Sequence, residues 1–345
     1  MITIRKYKLM TRMKTLDVAI AGELNLDLIL YGLPTELPLE REILASGFNV
    51  TLGSSSAILA HNLSSLGVKV SFAGLTGIDD FGRAALAFLE ESGVDIRQVR
   101  AVTDGTRTGV TILLTHDSGR RILTYPGPMS SLKVADLDID QLAQARHFHL
   151  SSFFLQTGLH QGLVSLISEL KKRGSTISLD TNDDPLGKWD GVLHELLPLV
   201  DVLLPNRDEL CRIARRDTVE MALQELAPII PLIAVKCGQE GAIVQDRDMR
   251  TVVPSVGVEA VDSIGAGDSF NTGFLAAWLS GLDAAESARA GNITGAWSTT
   301  QPGGIEAFRQ TSDTSAFLTQ HSFPNKARLL QDLASRRNNS ADRQR

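Results

Sequence analysis

From Val68 onward, short β-branched and apolar runs alternate with stretches whose apolar residues recur at helical spacing, the pattern of a mostly parallel sheet with helices on its faces. Strands are predicted at VKVSFAG (68–74), TISLD (176–180), DVLLP (201–205), IAVKC (233–237) and AIVQD (242–246). Leu159, Leu163, Leu166, Ile167 and Leu170 mark one face of a helix over 157–173, and Gly174 follows as its stop. FGRAALAFLEES (81–92), followed by Gly93, reads the same way. His147 and His149 lie two apart, on one face of a further strand; no third ligand stands at metal spacing, so they read as structural.

Two regions break this rhythm. In 107–125 two alternating strands flank Asp117-Ser118-Gly119, a turn composition, and 26–50 is extended but interrupted by Pro34 and Pro38. Both predict a small antiparallel sheet projecting as a lid over the crevice at the strand ends. Residues 15–22, 51–103 and 129–322 then form an α/β core, 23–50 and 104–128 the lid, and 1–14 and 323–345 terminal extensions, flexible in part. Met13 is an alternative start, and the basic tail beyond Asn325 has no apolar face in its last part and is expected to be solvated.

Composition narrows the function classes. A chain of 345 residues, 43% of them hydrophobic, can bury a large core, while a net charge of −6 offers no general attraction to nucleic acid. No run of eighteen apolar residues exists to span a membrane. The two cysteines, Cys211 and Cys237, lack metal-ligand spacing, and a reducing, cytoplasmic compartment fits them best.

The sharpest chemical signal is Val261-Asp262-Ser263-Ile264-Gly265-Ala266-Gly267-Asp268-Ser269-Phe270, leading into the helical stretch FNTGFLAAWLSG. Phe270, Phe274, Leu275 and Trp278 give that helix an apolar stripe, and Gly281 ends it. Gly265 and Gly267 remove side chains where backbone amides must approach a ligand, and the amides of 265–268 at a helix start form an anion-binding nest. A carboxylate there, Asp268, can take a proton from an attacking hydroxyl while the amides stabilise charge on a transferring phosphoryl group. A glycine-rich turn in which Asp268 only caps the helix accounts for these residues equally well. There is no G-x-x-x-x-G-K-[ST] loop, no protein-kinase H-R-D or D-F-G set, and no dinucleotide glycine spacing.

The same stretch resembles the C-terminal signature of the PfkB, or ribokinase-like, carbohydrate kinases, a likeness that runs from about Asp17 to Phe308. Gly53-Ser54-Ser55-Ser56-Ala57-Ile58-Leu59-Ala60 stands where that family has a glycine pair; Ser54 replaces the second glycine, and Ile58 stands where many members carry asparagine. Gly77-Ile78-Asp79-Asp80-Phe81-Gly82 resembles the family's next turn. The resemblance implies a three-layer α/β/α ribokinase-like fold with a mostly parallel central sheet and a small β lid. It also implies ATP as co-substrate, Mg²⁺, and K⁺ as in many members. Asp268 would be the base, with Gly265, Ala266 and Gly267 as the anion cradle.

Pro205-Asn206-Arg207-Asp208-Glu209 resembles the family's N-x-x-E element, which puts Asn206 beside the nucleotide and Glu209 on Mg²⁺, directly or through water. A capping pair of Asn206 with Glu209 is the alternative. Val235–Gly241 resembles the nucleotide-side loop, with Lys236 near the phosphates and Gly238 and Gly241 turning beneath ATP. The stretch 290–296, with Gln301-Pro302-Gly303-Gly304, resembles the wall of the adenine pocket, where Asn292 would touch the base unless these small residues serve only helix packing. Asp262 and the loop near Gly303 resemble a monovalent-cation site.

At the acceptor end, Asn25 and Asp27 share one face of an extended segment and can bond vicinal hydroxyls; Gly53, Ser54 and Asp180 join them. Asx turn-capping is the competing role of Asp27 and Asp180. GELNLD and LGSSSAIL contain no Lys or Arg, so a neutral sugar or a sugar acid is the expected acceptor, with Arg107, Arg120, Arg121 and Lys236 as the nearby cations. A nucleoside kinase of the same superfamily and a catalytically silent sugar- or nucleotide-binding regulator are the competing readings. Kinases of this kind often pair through the lid, and a homodimer is the corresponding expectation.

Overall fold

The computed structural model describes residues 14–116 and 119–323; Asp117, Ser118, Met13 and the tail from residue 324 lie outside the described residues. Thirteen strands occur among them: β1 (Leu16–Ala21), β2 (Asn25–Tyr31), β3 (Gly47–Leu52), β4 (Val70–Thr76), β5 (Asp95–Ala101), β6 (Gly109–His116), β7 (Gly119–Tyr125), β8 (Ala145–Ser151), β9 (Thr176–Asp180), β10 (Val202–Leu203), β11 (Leu232–Lys236), β12 (Ala242–Asp246) and β13 (Met249–Val253). The helices are α1 (Ser55–Ser65), α2 (Asp80–Ser92), α3 (Ile139–Leu142), α4 (Thr157–His160), α5 (Leu163–Lys172), α6 (Leu193–Leu196), α7 (Arg207–Ala214), α8 (Val219–Leu226), α9 (Ala266–Leu279), α10 (Ala284–Ser298), α11 (Glu306–Arg309) and α12 (Thr311–Gln320).

Nine strands form one sheet in the order β13-β12-β11-β10-β9-β8-β1-β4-β5, parallel except where β12 pairs antiparallel with β11 and with β13. Alternation along β1 feeds both of its faces. Val18 and Ile20 join the core shared with α1, α9 and α10, whereas Ala19 and Ala21 join the one shared with α5, α7 and α8. Burial on both faces is why these strands read as continuous apolar runs. The strand order reverses between β1 and β8, and in such sheets ligands bind outside the strand ends at that point.

The smaller sheet has the order β3-β2-β6-β7. Its outer pairs are antiparallel, as the pattern predicts, but β2 runs parallel to β6, from Asn25 opposite Gly109 to Leu30 opposite Leu114. The purely antiparallel lid is therefore corrected. Between β2 and β6 the chain passes through β3, α1, β4, α2 and β5, so these strands are joined by a crossover and not by a hairpin turn. Two helix expectations also change. Gly162, at φ +90°, divides the helix predicted over 157–173 into α4 and α5. α9 is buried nearly all round, including Ser269, Asn271 and Thr272, because it is wedged between the sheet, α1 and α10.

Candidate active site

The signature turn is built as its glycines require. Gly265 sits at φ +70°, and a Cβ there would lie 2.5 Å from Gly304 Cα, so both the conformation and the close approach select glycine. It precedes α9, whose start carries no side-chain cap; Ala266 N donates to the Ser263 carbonyl at 3.3 Å, and the amides of Gly267 and Asp268 follow it in the first turn, where an anionic ligand would be favoured. Ala266 and Gly267 line a cavity of about 510 Å³ together with Lys236, Gly238, Gly241 and Asn292. Six of the residues singled out from the sequence thus surround one space. Gly241, at φ +93°, brings the loop after β11 against Val253, where a Cβ would lie 2.1 Å from the carbonyl oxygen. Asn292 commits its amide to the Val253 and Pro254 carbonyls at 3.1 and 2.9 Å, holding the wall of the cavity.

Asp268 lies in the first turn of α9 and is buried. Burial, and then the charge of Asp180, push its carboxyl up to about 7, against the attraction of Lys236 and a hydrogen bond from Ser55. Lys236 Nζ contacts Asp180 Oδ2 at 2.5 Å, and Asn271 Nδ2 donates to the same oxygen at 2.6 Å. Burial alone would lower Lys236, but the charges of Asp180, Glu209 and Asp268 outweigh it and raise the ammonium above its ordinary value. Asp180, assigned to the acceptor from sequence, instead has its carboxylate taken up by Lys236, Asn271 and the Asn182 amide, with no exposed surface.

On the acceptor side Asn25 and Asp27 do share the inward face of β2. Gly53 and Gly109 make room for them: a Cβ would meet Asp27 Oδ1 at 2.1 Å and Asn25 Oδ1 at 2.2 Å respectively. Burial, then the charge of Asp268, push Asp27 up to about 7, while Arg120 opposes the rise. Arg120 Nη1 also donates to Ser263 Oγ at 2.9 Å, so this lid arginine reaches the crevice. Arg107 pairs with Asp79 at 3.6 Å and Arg121 donates to the Thr35 carbonyl, both away from it. Asn25 Oδ1, Ser54 Oγ, Gln156 Oε1 and Thr181 Oγ1 are buried without a partner among the described residues, groups that a polyhydroxylated ligand can satisfy.

Asn206 and Glu209 form a reciprocal capping box at the start of α7. Glu209 N donates to Asn206 Oδ1 at 2.9 Å, and the carboxylate accepts from Asn206 N at 2.8 Å and Nδ2 at 2.7 Å. Asn206 is therefore held at the helix start and is not among the residues that line the 510 Å³ cavity. Glu209 is buried, and burial followed by the charge of Asp180 pushes it up to about 7. Each of its oxygens keeps a lone pair beyond these bonds, which suits a hard cation that retains its waters. No three His, Cys, Asp or Glu side chains converge as a metal cage among the described residues. Asp262 accepts from Tyr31 Oη at 2.9 Å, Gly303 N at 3.1 Å and Ile264 N at 2.9 Å, clasping the lid to the signature loop. Two of these donors fill Oδ2, while Oδ1 accepts one and keeps a lone pair.

The sequence reading missed Glu23, which follows β1 and is 2% exposed. It accepts from Ser56 N at 3.2 Å, Ser56 Oγ at 2.7 Å, Ser152 Oγ at 2.7 Å and Gln156 Nε2 at 3.0 Å. Burial raises it despite these bonds. An acidic residue two positions after a buried strand was the available signal. His147 and His149 share Ser178 Oγ at 2.6 Å each, inside the sheet, and burial pushes His149 down to about 3. No helix among the described residues is long and apolar enough to cross a membrane.

The model of the pfkB family carbohydrate kinases matches residues 15–311. An ATP-dependent ribose-1-phosphate kinase of Halopiger xanaduensis is 33% identical over 270 residues, covering 78% of this chain and 86% of that protein. A nucleoside kinase of Methanothermobacter thermautotrophicus is 28% identical over 232 residues, 67% of this chain and 72% of that one. The structure of Arabidopsis thaliana ribokinase complexed with ribose and ATP has the same fold, with a TM-score of 0.74 at 22% identity over 88% of this chain and 98% of that one.

Proposed function

Because the chain belongs to the PfkB family of carbohydrate kinases, phosphotransferases acting on hydroxyl groups, we propose that it transfers the γ-phosphoryl group of ATP to a hydroxyl of a free monosaccharide or sugar acid, with Asp268 as base. One observation carries this reading. Asp268 is a buried carboxyl poised near neutrality in the first turn of the helix that also lines the 510 Å³ cavity. A base is most effective when its pKa lies near the working pH. Asp268 takes the acceptor's proton, the freed oxygen bonds to the γ-phosphorus, and the bond from that phosphorus to the ADP oxygen breaks. The open amides at the start of α9 and the raised ammonium of Lys236 lie where negative charge grows on the phosphoryl group. Mg²⁺ would be held near Glu209 through water, where it offsets charge on the phosphates.

Charge supports an uncharged acceptor or a sugar acid. Glu23, Asp27 and Asp268 are buried at the acceptor end, where Arg120 is the cation that moderates Asp27. A phosphate dianion among three carboxylates must be paired to leave water, whereas neutral hydroxyls can donate to Asp27 and Asp268. A single lid guanidinium is enough for one carboxylate, which keeps sugar acids in the set. The test is ADP release from ATP and Mg²⁺ with free pentoses and hexoses, sugar acids, ribose 1-phosphate, hexose 6-phosphates and nucleosides. Highest kcat/KM on a free sugar or sugar acid is expected. A sugar phosphate exceeding every unphosphorylated acceptor would overturn the charge argument, adenosine in first place would make this a nucleoside kinase, and no turnover would favour the silent regulator.

The lid carries the second part of the reading. Phe48, Ile112, Leu123 and Tyr125 share its outward face and are exposed, and β7 is exposed along its whole length. An uncovered edge beside an apolar face suits pairing with the lid of a second copy.

A further inference from the structure

The turn after β11 lines the 510 Å³ cavity with Gly238, Gln239 and Gly241. Its two glycines sit at φ +58° and +93°, and a Cβ on Gly238 would meet nothing within 4 Å, so packing does not fix that end of the turn. Between the glycines Gly238–Glu240 form one 3₁₀ turn. Cys237 N donates to the Gly241 carbonyl at 2.8 Å and Gly241 N to the Gly238 carbonyl at 3.0 Å. These bonds shape the turn without anchoring it to the rest of the fold.

The anchor is charged. Arg207 opens α7, and its guanidinium meets the Glu240 carboxylate end-on, Nη1 to Oε1 and Nη2 to Oε2 at 2.6 Å each, a forked geometry that holds direction as well as distance. The root of the turn is tied to the same segment: Lys236 N donates to the Pro205 carbonyl at 2.8 Å, and Asn206 pairs with Lys236 as an isolated parallel bridge. On the other side Ser255, which also lines the cavity, donates its hydroxyl to the Gln239 carbonyl at 2.5 Å. The side chains of Arg207 and Glu240 are 39% and 69% exposed, so the pair adds little to global stability. Its effect is local, on where the tip of the turn stands.

We propose that Arg207 and Glu240 are positioning residues for the nucleotide, the forked pair setting residues 238–241 as a wall of the cavity before ATP enters. This rests on ATP occupying that cavity. Without the pair, a turn flanked by two glycines samples other conformations, and ATP binds only after ordering it. Lys236 keeps its place, because its backbone bond to Pro205 and its ion pair with Asp180 do not pass through the clamp. Asn25 and Asp27 lie on β2, in the other sheet. Loss of the clamp therefore weakens nucleotide binding and spares the chemical step.

The experiment measures ATP affinity by calorimetry with Mg²⁺ and no acceptor, amide hydrogen exchange of residues 237–241 before and after ATP, and kcat on the best acceptor of the panel. Arg207→Ala should weaken ATP about threefold, the range open to exposed ion pairs, with kcat held within about twofold. Exchange at Glu240 and Gly241 should quicken in the free protein and return on saturation. Arg207→Lys, which keeps the charge and loses the fork, should fall between. Arg207→Glu sets like charges together and should bind ATP more weakly than Arg207→Ala, and adding Glu240→Arg should restore the affinity. Unchanged ATP affinity in Arg207→Ala, whatever the exchange, would reduce the pair to a surface contact and overturn the proposal. A swapped double variant as weak as Arg207→Glu alone would do the same. A parent that binds neither ATP nor ADP would instead overturn the reading of the cavity, and the clamp with it.

Discussion

Replacing Asp268 with asparagine keeps the shape of the side chain and removes its charge, so it separates what the carboxylate does for turnover from what it does to the fold. Burial and the charge of Asp180 raise this carboxyl from 3.8 to about 7. That is about 3 pH units, or about 4 kcal/mol favouring the protonated form in the folded protein. The folded state holds its proton where the unfolded chain has released it. Stability should therefore fall as pH rises from 3.8 through about 7, and the penalty is complete above that. Asparagine carries none of this, so Asp268→Asn should be more stable than the parent by up to about 4 kcal/mol at pH 8 and by only about 2 kcal/mol at pH 5. Turnover should fall on the order of 10²-fold or more, with ATP affinity little changed. Urea melts of both proteins at the two pH values, with steady-state kinetics at pH 8, make the comparison. A variant no more stable than the parent at pH 8 would mean that the site welcomes the ionised carboxylate, and the argument for a base poised near neutrality would fail.

Three further outcomes follow from individual residues. Glu209→Gln should leave the start of α7 capped, since glutamine also completes a capping box, while raising the Mg²⁺ concentration needed for half-maximal activity; overlaid magnesium titrations would leave Glu209 with capping alone. Ser54→Gly should stabilise the protein by about 1 kcal/mol in urea melts, because Ser54 is held at φ +68° where glycine is unstrained, and should raise the acceptor KM by removing a buried hydroxyl that has no partner among the described residues; a destabilised variant would refute the strain. Sedimentation over a range of concentrations should show a dimer that Ile112→Lys with Leu123→Lys disperses, and a strictly monomeric parent would remove the lid interface.

The layers of the fold were legible because burial on both sheet faces leaves a continuous apolar signature, as at β11. The parallel pairing of β2 with β6 was not, since alternation along a strand says which face is inward but not which partner lies beside it. In the site, the signature turn was readable at Gly265, whose positive φ and contact with Gly304 leave glycine as the fitting residue. The pairing of Lys236 with Asp180 joins residues on separate strands, and nothing local announces it. Arg207 and Glu240 were hidden for the same reason: each is an ordinary surface charge, and only the juxtaposition of α7 with the turn after β11 gives it a partner. Ile58, which departs from the family pattern, packs against Gly304, while Asn62 one turn on bonds Ser269 Oγ at 3.1 Å and the Gly304 carbonyl at 3.0 Å.

The crossover between β2 and β6 also bears on how the protein is made. During synthesis β2 leaves the ribosome with its hairpin partner β3, but its other edge stays open until β6 follows, and β2 ends at Tyr31 while β6 begins at Gly109. At ordinary elongation rates that interval lasts on the order of ten seconds. Throughout it the segment NLDLILY presents unpaired backbone groups and three leucines. Nascent chains stalled before residue 109 should consequently be the ones that recruit holdase chaperones, and chains stalled beyond His116 should release them, since by then β6 exists to close that edge.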